Sequence, residues 1–193
     1  AARVQTAIED VEMKIKTDLI KAIEKASADI AEVYSPPRVT SMAGRYGLQP
    51  GEAMDLTTGW DFTLERHRRA AVEYVETAKP KLLIGSPECT MFSSLQNMNK
   101  KYWDVQKKAK YVEAVEHIKF VVMLYKKQIE GERWFLHEHP AGASSWDLDE
   151  MEKLAKETGV RIKIADQCMY GLKTWSKEKT VHDMAARKST KFM

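Results

Sequence analysis

Two residues of this chain have side chains that could make or break a covalent bond where they stand. Cys89 follows Leu-Leu-Ile-Gly-Ser-Pro-Glu, so a lone thiol sits where an apolar run is broken by proline and must turn. A thiol held in a tight turn or at a helix start can ionise, and the thiolate is a strong nucleophile. Glu138 lies in Leu-His-Glu-His-Pro and leaves another apolar run beside aromatic residues. A carboxyl in such surroundings can hold or deliver a proton. His137 and His139 flank it, and strand alternation turns both away from it. A zinc site from Cys89, His137, His139 and Cys168 can be drawn, but it lacks the close paired spacing of zinc motifs.

The elements that carry these residues follow from apolar periodicity. Residues 29–34, 52–56, 81–85, 133–138 and 160–166 read as strands, and Ser-Thr-Lys-Phe-Met at 189–193 as a last one. Residues 64–78, 105–130 and 147–158 read as helices. A long amphipathic N-terminal helix is expected within residues 1–28, with Val4, Ile8, Val11, Ile15, Leu19 and Ile23 on one stripe. Strands alternating with helices predict a single domain over residues 1–193, an α/β fold with a doubly wound, mostly parallel sheet. Ligands of such sheets bind at the carboxyl ends of the strands, near the reversal in strand order. That edge receives Glu32, Tyr34, Ser35 and Pro36 from the first strand and Asp55 from the second. The third delivers Ser86, Pro87, Glu88 and Cys89, the fourth Glu138, and the fifth Asp166, Gln167 and Cys168.

The 193 residues carry 31 Lys and Arg against 28 Asp and Glu, a formal charge of +3, which neither demands nor excludes a nucleic-acid partner. Two cysteines make no disulfide framework and fit a reducing, cytoplasmic (intracellular) setting. No apolar run approaches the ~20 residues of a membrane span. The chain opens on Ala rather than Met, as a piece trimmed or cut from something larger would. The stretch from Thr90 to Asp104 has no regular periodicity, and long loops of that kind are usually functional. Its Gln96, Asn97, Lys100, Lys101, Tyr102 and Trp103 combine amides, cations and rings that suit phosphates and bases.

The segment Gly-Ser-Pro-Glu-Cys-Thr-Met-Phe-Ser resembles the Pro-Cys loop of C5-cytosine methyltransferases. Phe-Leu-His-Glu-His-Pro resembles the strand end that carries that family's glutamate. The strand order is also similar: two acidic strand ends, then the Cys strand, then the Glu strand, over roughly residues 29–170. The chain further resembles the methyltransferase-like segments of phage and mobile-element polyproteins. The resemblance implies a Rossmann-like methyltransferase fold and methyl transfer from S-adenosylmethionine to a cytosine of DNA or a nucleotide. Cys89 would attack C6 of a flipped-out base, and Glu138 would contact the ring near N3. Glu32, Tyr34, Ser35, Asp55, Ser86 and Pro87 would hold the cofactor. The 90–104 loop would close over the base, and no separate target-recognition domain is expected. Where the family turns on glycines after its first strand, this chain reads Glu-Val-Tyr-Ser-Pro-Pro-Arg-Val, and only Arg187 and Lys188 stand in for the family's basic element. Two other readings use the same edge. One is a nucleic-acid-binding module without cofactor. The other is a metal-dependent nuclease built on Glu32, Asp55, Glu88 and Glu138.

Overall fold

A computed structural model describes residues 27–98, 100–175 and 184–193. The expected N-terminal helix lies outside the described residues. Six strands form the main sheet: β1 Ile30–Val33, β2 Pro50–Met54, β3 Leu82–Gly85, β4 Trp134–Pro140, β5 Lys163–Asp166 and β8 Ser189–Phe192. Two short strands, β6 Lys173–Thr174 and β7 Met184–Ala185, pair antiparallel as a separate two-stranded sheet. The helices are α1 Thr40–Ala43, α2 Glu65–Ala78, α3 Ser94–Met98, α4 Val105–Glu130 and α5 Asp149–Ala155.

The sheet order is β2-β1-β3-β4-β8-β5. The pairs β1–β2, β1–β3 and β3–β4 are parallel, whereas β8 runs antiparallel to both β4 and β5. This mixed α/β architecture is compatible with a Rossmann-like fold. Strand order reverses at β1, which has β2 on one side and β3 on the other, so a crevice opens beyond the carboxyl ends of β1 and β3.

The physical causes of the main elements are plain in the sequence. All four residues of β1 are buried, as expected of a central parallel strand. In β3, Gly85 leaves room for the hydroxyl of Tyr125, because a Cβ there would overlap it and stand 3.0 Å from Val121 Cγ2. Helix α4 starts at Asp104, whose carboxylate accepts from the Lys107 N–H at 2.7 Å, an N-cap that satisfies one orphan donor. Its second half is buried through Ile118, Val121, Leu124 and Tyr125 against β3 and β4. Val105 and Val112 are exposed on the first half of α4, which faces the crevice through Gln106, Lys107 and Lys110. Helix α2 buries Ala71, Val75 and Ala78.

Candidate functional site

The crevice at the strand reversal is a cavity of about 870 Å³. Tyr34 enters from the end of β1, Asp55 from the end of β2, and Ser86 and Glu88 from the end of β3. Trp60 and Phe62 add an aromatic wall, and Lys107, Lys110 and His117 face it from α4.

Tyr34 stands where the chain must leave β1, and it has φ of 56°, the left-handed region. For a residue with a side chain that conformation costs roughly 1–2 kcal/mol. The surroundings hold it there. Its N–H donates to the Met54 carbonyl at 2.9 Å. Its hydroxyl is hydrogen-bonded to His117 Nδ1 at 2.8 Å, and its ring centroid lies 4.7 Å from that of Phe62. Burial raises the pKa of the Tyr34 hydroxyl, so it stays protonated. His117 Nε2 lies 3.7 Å from Glu113. Asp55 Oδ1 accepts from the Thr57 N–H at 2.9 Å and from the Thr57 hydroxyl, fixing the carboxylate at the cavity edge.

Cys89 and Glu138 sit beside this cavity rather than in its wall. Strands β3 and β4 pair in parallel register with Gly85 opposite His137, so the two chemical residues emerge from neighbouring strands. Cys89 is half-buried, and its carbonyl accepts from the Phe92 N–H at 3.0 Å to start a 3₁₀ turn. Glu88 accepts from the Thr90 N–H at 3.0 Å within the same turn. Burial first, then the Glu88 carboxylate, pushes the Cys89 thiol above its usual range; Glu138 adds to this and Lys188 opposes it. Glu138 Oε1 accepts from Gln167 Nε2 at 3.3 Å and lies 3.5 Å from Lys188 Nζ. Gln167 Nε2 also donates to the buried Thr190 hydroxyl at 3.0 Å.

The histidines next to Glu138 point to the other face, as alternation requires. His139 Nε2 lies 3.2 Å from the Pro87 carbonyl and its Nδ1 lies 2.6 Å from Ser145 Oγ. A carbonyl only accepts, so Nε2 carries the proton and Nδ1 accepts from the serine. This bond ties the Pro-Glu-Cys turn to β4. His137 Nδ1 is hydrogen-bonded to the Tyr125 hydroxyl at 3.0 Å. Burial keeps both imidazoles neutral, pushing His137 down to about 3. Neither histidine meets Cys89 and Cys168 as a zinc set would require. Among the described residues no three His, Cys, Asp or Glu side chains come together to hold a metal ion, so the acids of the nuclease reading do not form a cluster.

Of the six residues expected at the cofactor, Tyr34, Asp55 and Ser86 line the cavity. The other three are placed differently. Glu32 is 1% exposed, and its carboxylate accepts from the Ser35 and Thr40 hydroxyls and from the N–H groups of Arg38 and Thr40. The carboxylate therefore binds the proline loop that follows β1. Ser35 is buried as one of its donors, and Pro87 is buried with its carbonyl on His139.

The 90–104 stretch is more structured than its composition suggests, with α3 and two 3₁₀ turns. Trp103, expected to meet bases, is buried and packs on Tyr111 at 5.4 Å. Lys100 Nζ stands 4.3 Å over the Tyr111 ring. Gln96 is half-buried in the cavity wall, and Lys101 and Tyr102 are exposed and stacked on one another at 4.8 Å. Asn97 lies in α3, and its side chain is outside the described set. Trp60, just beyond the second strand, is where the sequence puts it at this edge, whereas nothing in the sequence separates His117 and Phe62 from ordinary helix and loop residues. Scans of the chain against protein-family models and against curated proteins returned no match.

Proposed function

We propose that the chain transfers a methyl group from S-adenosylmethionine to C5 of a cytosine, in DNA or a nucleotide, with Cys89 as the nucleophile. The observation that carries this reading is the β3 turn. Ser86 and Glu88 belong to the wall of the large cavity, and the adjoining Cys89 stands within electrostatic reach of Glu138. The cavity wall and the thiol thus share one turn, and the carboxyl leaves the neighbouring strand β4.

The cavity residues fit the cofactor. Its volume lies in the range of small-molecule sites, and Trp60 and Phe62 offer an apolar wall for a purine. Asp55 suits ribose hydroxyls, and Glu88 suits a cationic centre. When bound, S-adenosylmethionine supplies an electrophilic methyl on a sulfonium.

The chain's own residues perform the rest. Cys89 Sγ adds to C6 of the base, and its proton passes to the Glu138 carboxylate. Glu138 then donates that proton at N3 of the ring, so addition across the ring leaves no net charge and makes C5 electron-rich. Gln167 and Lys188 fix the carboxylate for this exchange. After methylation, loss of the C5 proton to solvent and of the N3 proton to Glu138 expels Cys89, which recovers its proton. A protonated resting thiol fits this order, because the nucleophile is released only when Glu138 takes its proton.

Binding is read by thermal shift. A ligand at about 100 times its Kd stabilises by about 2.7 kcal/mol, roughly 5–10 °C for a chain of this length. No shift at millimolar S-adenosylmethionine or S-adenosylhomocysteine sinks the reading. DNA carrying 5-fluorocytosine should trap a covalent adduct that Cys89→Ala abolishes; an adduct that survives this change removes Cys89 from the nucleophile's role.

A further inference from the structure

The crevice carries a charge of its own, opposite in sign to that of the chain. Its wall holds five carboxylates, Asp55, Asp61, Glu88, Asp104 and Glu113, against two lysines, Lys107 and Lys110. Five against two leaves −3 with histidine uncounted, in a chain whose formal charge is +3. The groups that fix these carboxylates are mostly neutral, so the charge stays in the wall. Asp61 Oδ1 accepts from the Thr63 hydroxyl at 2.6 Å and from its N–H at 2.9 Å. These bonds hold the Asp61 carboxyl below its usual range, so it is ionised at neutral pH. Asp55 and Glu88 are held in the same way by Thr57 and Thr90, and Asp104 by the Lys107 N–H. Glu113 faces His117 at 3.7 Å.

The same wall is aromatic. Trp60, Phe62 and Tyr34 form one cluster, with ring centroids 6.1 Å apart for Trp60 and Phe62 and 4.7 Å for Phe62 and Tyr34. Trp60 and Tyr34 are only half-buried, so π surface remains for a ligand. Ring faces attract a cation, most strongly where water is excluded. A cleft lined by one sign of charge also concentrates ligands of the other sign. A phosphate meets the reverse field, and a neutral ligand gains nothing from the carboxylates.

We infer that the crevice selects an onium cation, a sulfonium or quaternary ammonium, over its neutral counterpart and over phosphorylated nucleotides. The occupant S-adenosylmethionine comes from the methyl-transfer reading, on which this selectivity rests for its biological ligand. Methyl transfer leaves the C–S bonding pair on sulfur as a neutral thioether, so the spent cofactor loses the attraction and is released.

The test pairs ligands by charge on the full chain at low salt. Calorimetry compares S-adenosylmethionine with S-adenosylhomocysteine, with ATP as the phosphorylated control. Saturation-transfer NMR compares choline with its neutral carbon isostere, 3,3-dimethyl-1-butanol. S-adenosylmethionine should bind about tenfold more tightly than S-adenosylhomocysteine, within the range of one partly desolvated cation–π contact. The gap should narrow at high salt, and ATP should not bind. Trp60→Leu should shrink the gap about threefold by removing the best ring. Asp61→Asn keeps the oxygen that Thr63 needs and should shrink it about two- to fivefold, with S-adenosylhomocysteine unchanged. Melting temperatures show whether each variant is folded, and Asp61→Asn decides alone if Trp60→Leu is not.

Equal affinity for the two adenosyl ligands overturns the selectivity and leaves the methyl-transfer reading standing. Choline preferred over its isostere, with neither adenosyl ligand bound, upholds the onium site and removes the methyl-transfer reading. ATP competing with S-adenosylmethionine, a charge preference that no folded variant moves, or no binding by any of the probes overturns the selectivity.

Discussion

Glu32 separates a structural acid from a ligand-binding one, and the structure gives the size of the effect. Its buried carboxylate accepts from two backbone N–H groups, Arg38 at 3.1 Å and Thr40 at 2.8 Å, and from the Ser35 and Thr40 hydroxyls at 2.9 and 2.6 Å. Glu32→Ala leaves the hydroxyls free to turn to other acceptors, but the N–H groups cannot turn. Thr40 is buried and loses its acceptor outright, whereas exposed Arg38 can take water. With about 1–3 kcal/mol for a buried donor left without a partner, and Thr40 N–H the one so left, the change should cost roughly 1–3 kcal/mol. Melting should fall by roughly 2–12 °C. Glu32→Gln keeps one acceptor oxygen and loses the charge, so about 1–2 kcal/mol is expected. The assay is urea unfolding followed by fluorescence, with thermal shifts in S-adenosylmethionine run in parallel. Glu32→Gln should retain the ligand-induced shift. A midpoint unchanged within about 1 °C together with a vanished ligand shift would refute the structural assignment and return Glu32 to the cofactor.

Three other outcomes follow from the same contacts. The pH midpoint of Cys89 alkylation should fall in Glu88→Gln, which removes a carboxylate that raises the thiol, and rise in Lys188→Ala; iodoacetamide rates against pH read both. His137 is neutral when folded, with its pKa at about 3 against 6.5 unfolded, so the unfolded chain binds the extra proton between those values. Stability should therefore be complete above pH 6.5 and decline as pH falls towards 3, by at most roughly 5 kcal/mol, and His137→Phe should flatten that slope in urea titrations. Gly85→Ala drives a Cβ into the Tyr125 hydroxyl and should cost about 1–3 kcal/mol; Tyr125→Phe in the same chain should restore part of it, read as non-additivity in a double-mutant cycle.

Most of the sheet is legible in the sequence because its strands are short apolar runs stopped by proline, glycine or acid. The runs at 29–34, 81–85 and 133–138 match β1, β3 and β4 within a residue or two. The neighbourhood of Cys89 and Glu138 follows, since both leave strands of one parallel sheet. The direction of β8 is not legible. An apolar pattern carries no polarity, and only its hydrogen bonds with β4 and β5 show that it runs antiparallel. The β6–β7 pair escapes for another reason: two-residue strands are too short to show alternation. At Glu32 two readings compete in the sequence, because an acid at a strand end suits a sugar hydroxyl and a loop N–H equally. The deciding fact is local. Pro36 and Pro37 have no N–H, and the loop's remaining donors at Arg38 and Thr40 turn back to the one buried carboxylate.

The turn after β1 shows why glycine is dispensable there. Glycine would take the left-handed backbone at no steric cost, whereas Tyr34 takes it against roughly 1–2 kcal/mol of strain. Burying the ring against Phe62, His117 and Phe120 contributes on the order of 2–3 kcal/mol, and its contacts with aromatic neighbours add to that. The ring outweighs the strain, so the conformation is kept by packing. The consequence falls on the ligand. A glycine turn offers a bare backbone that a cofactor can approach closely. This turn offers an aromatic wall with a hydroxyl fixed on His117, while its amide N–H donates to Met54. Anything held between β1 and β3 must therefore be recognised by stacking and by side chains such as Asp55 and Glu88, with little help from backbone donors at the end of β1.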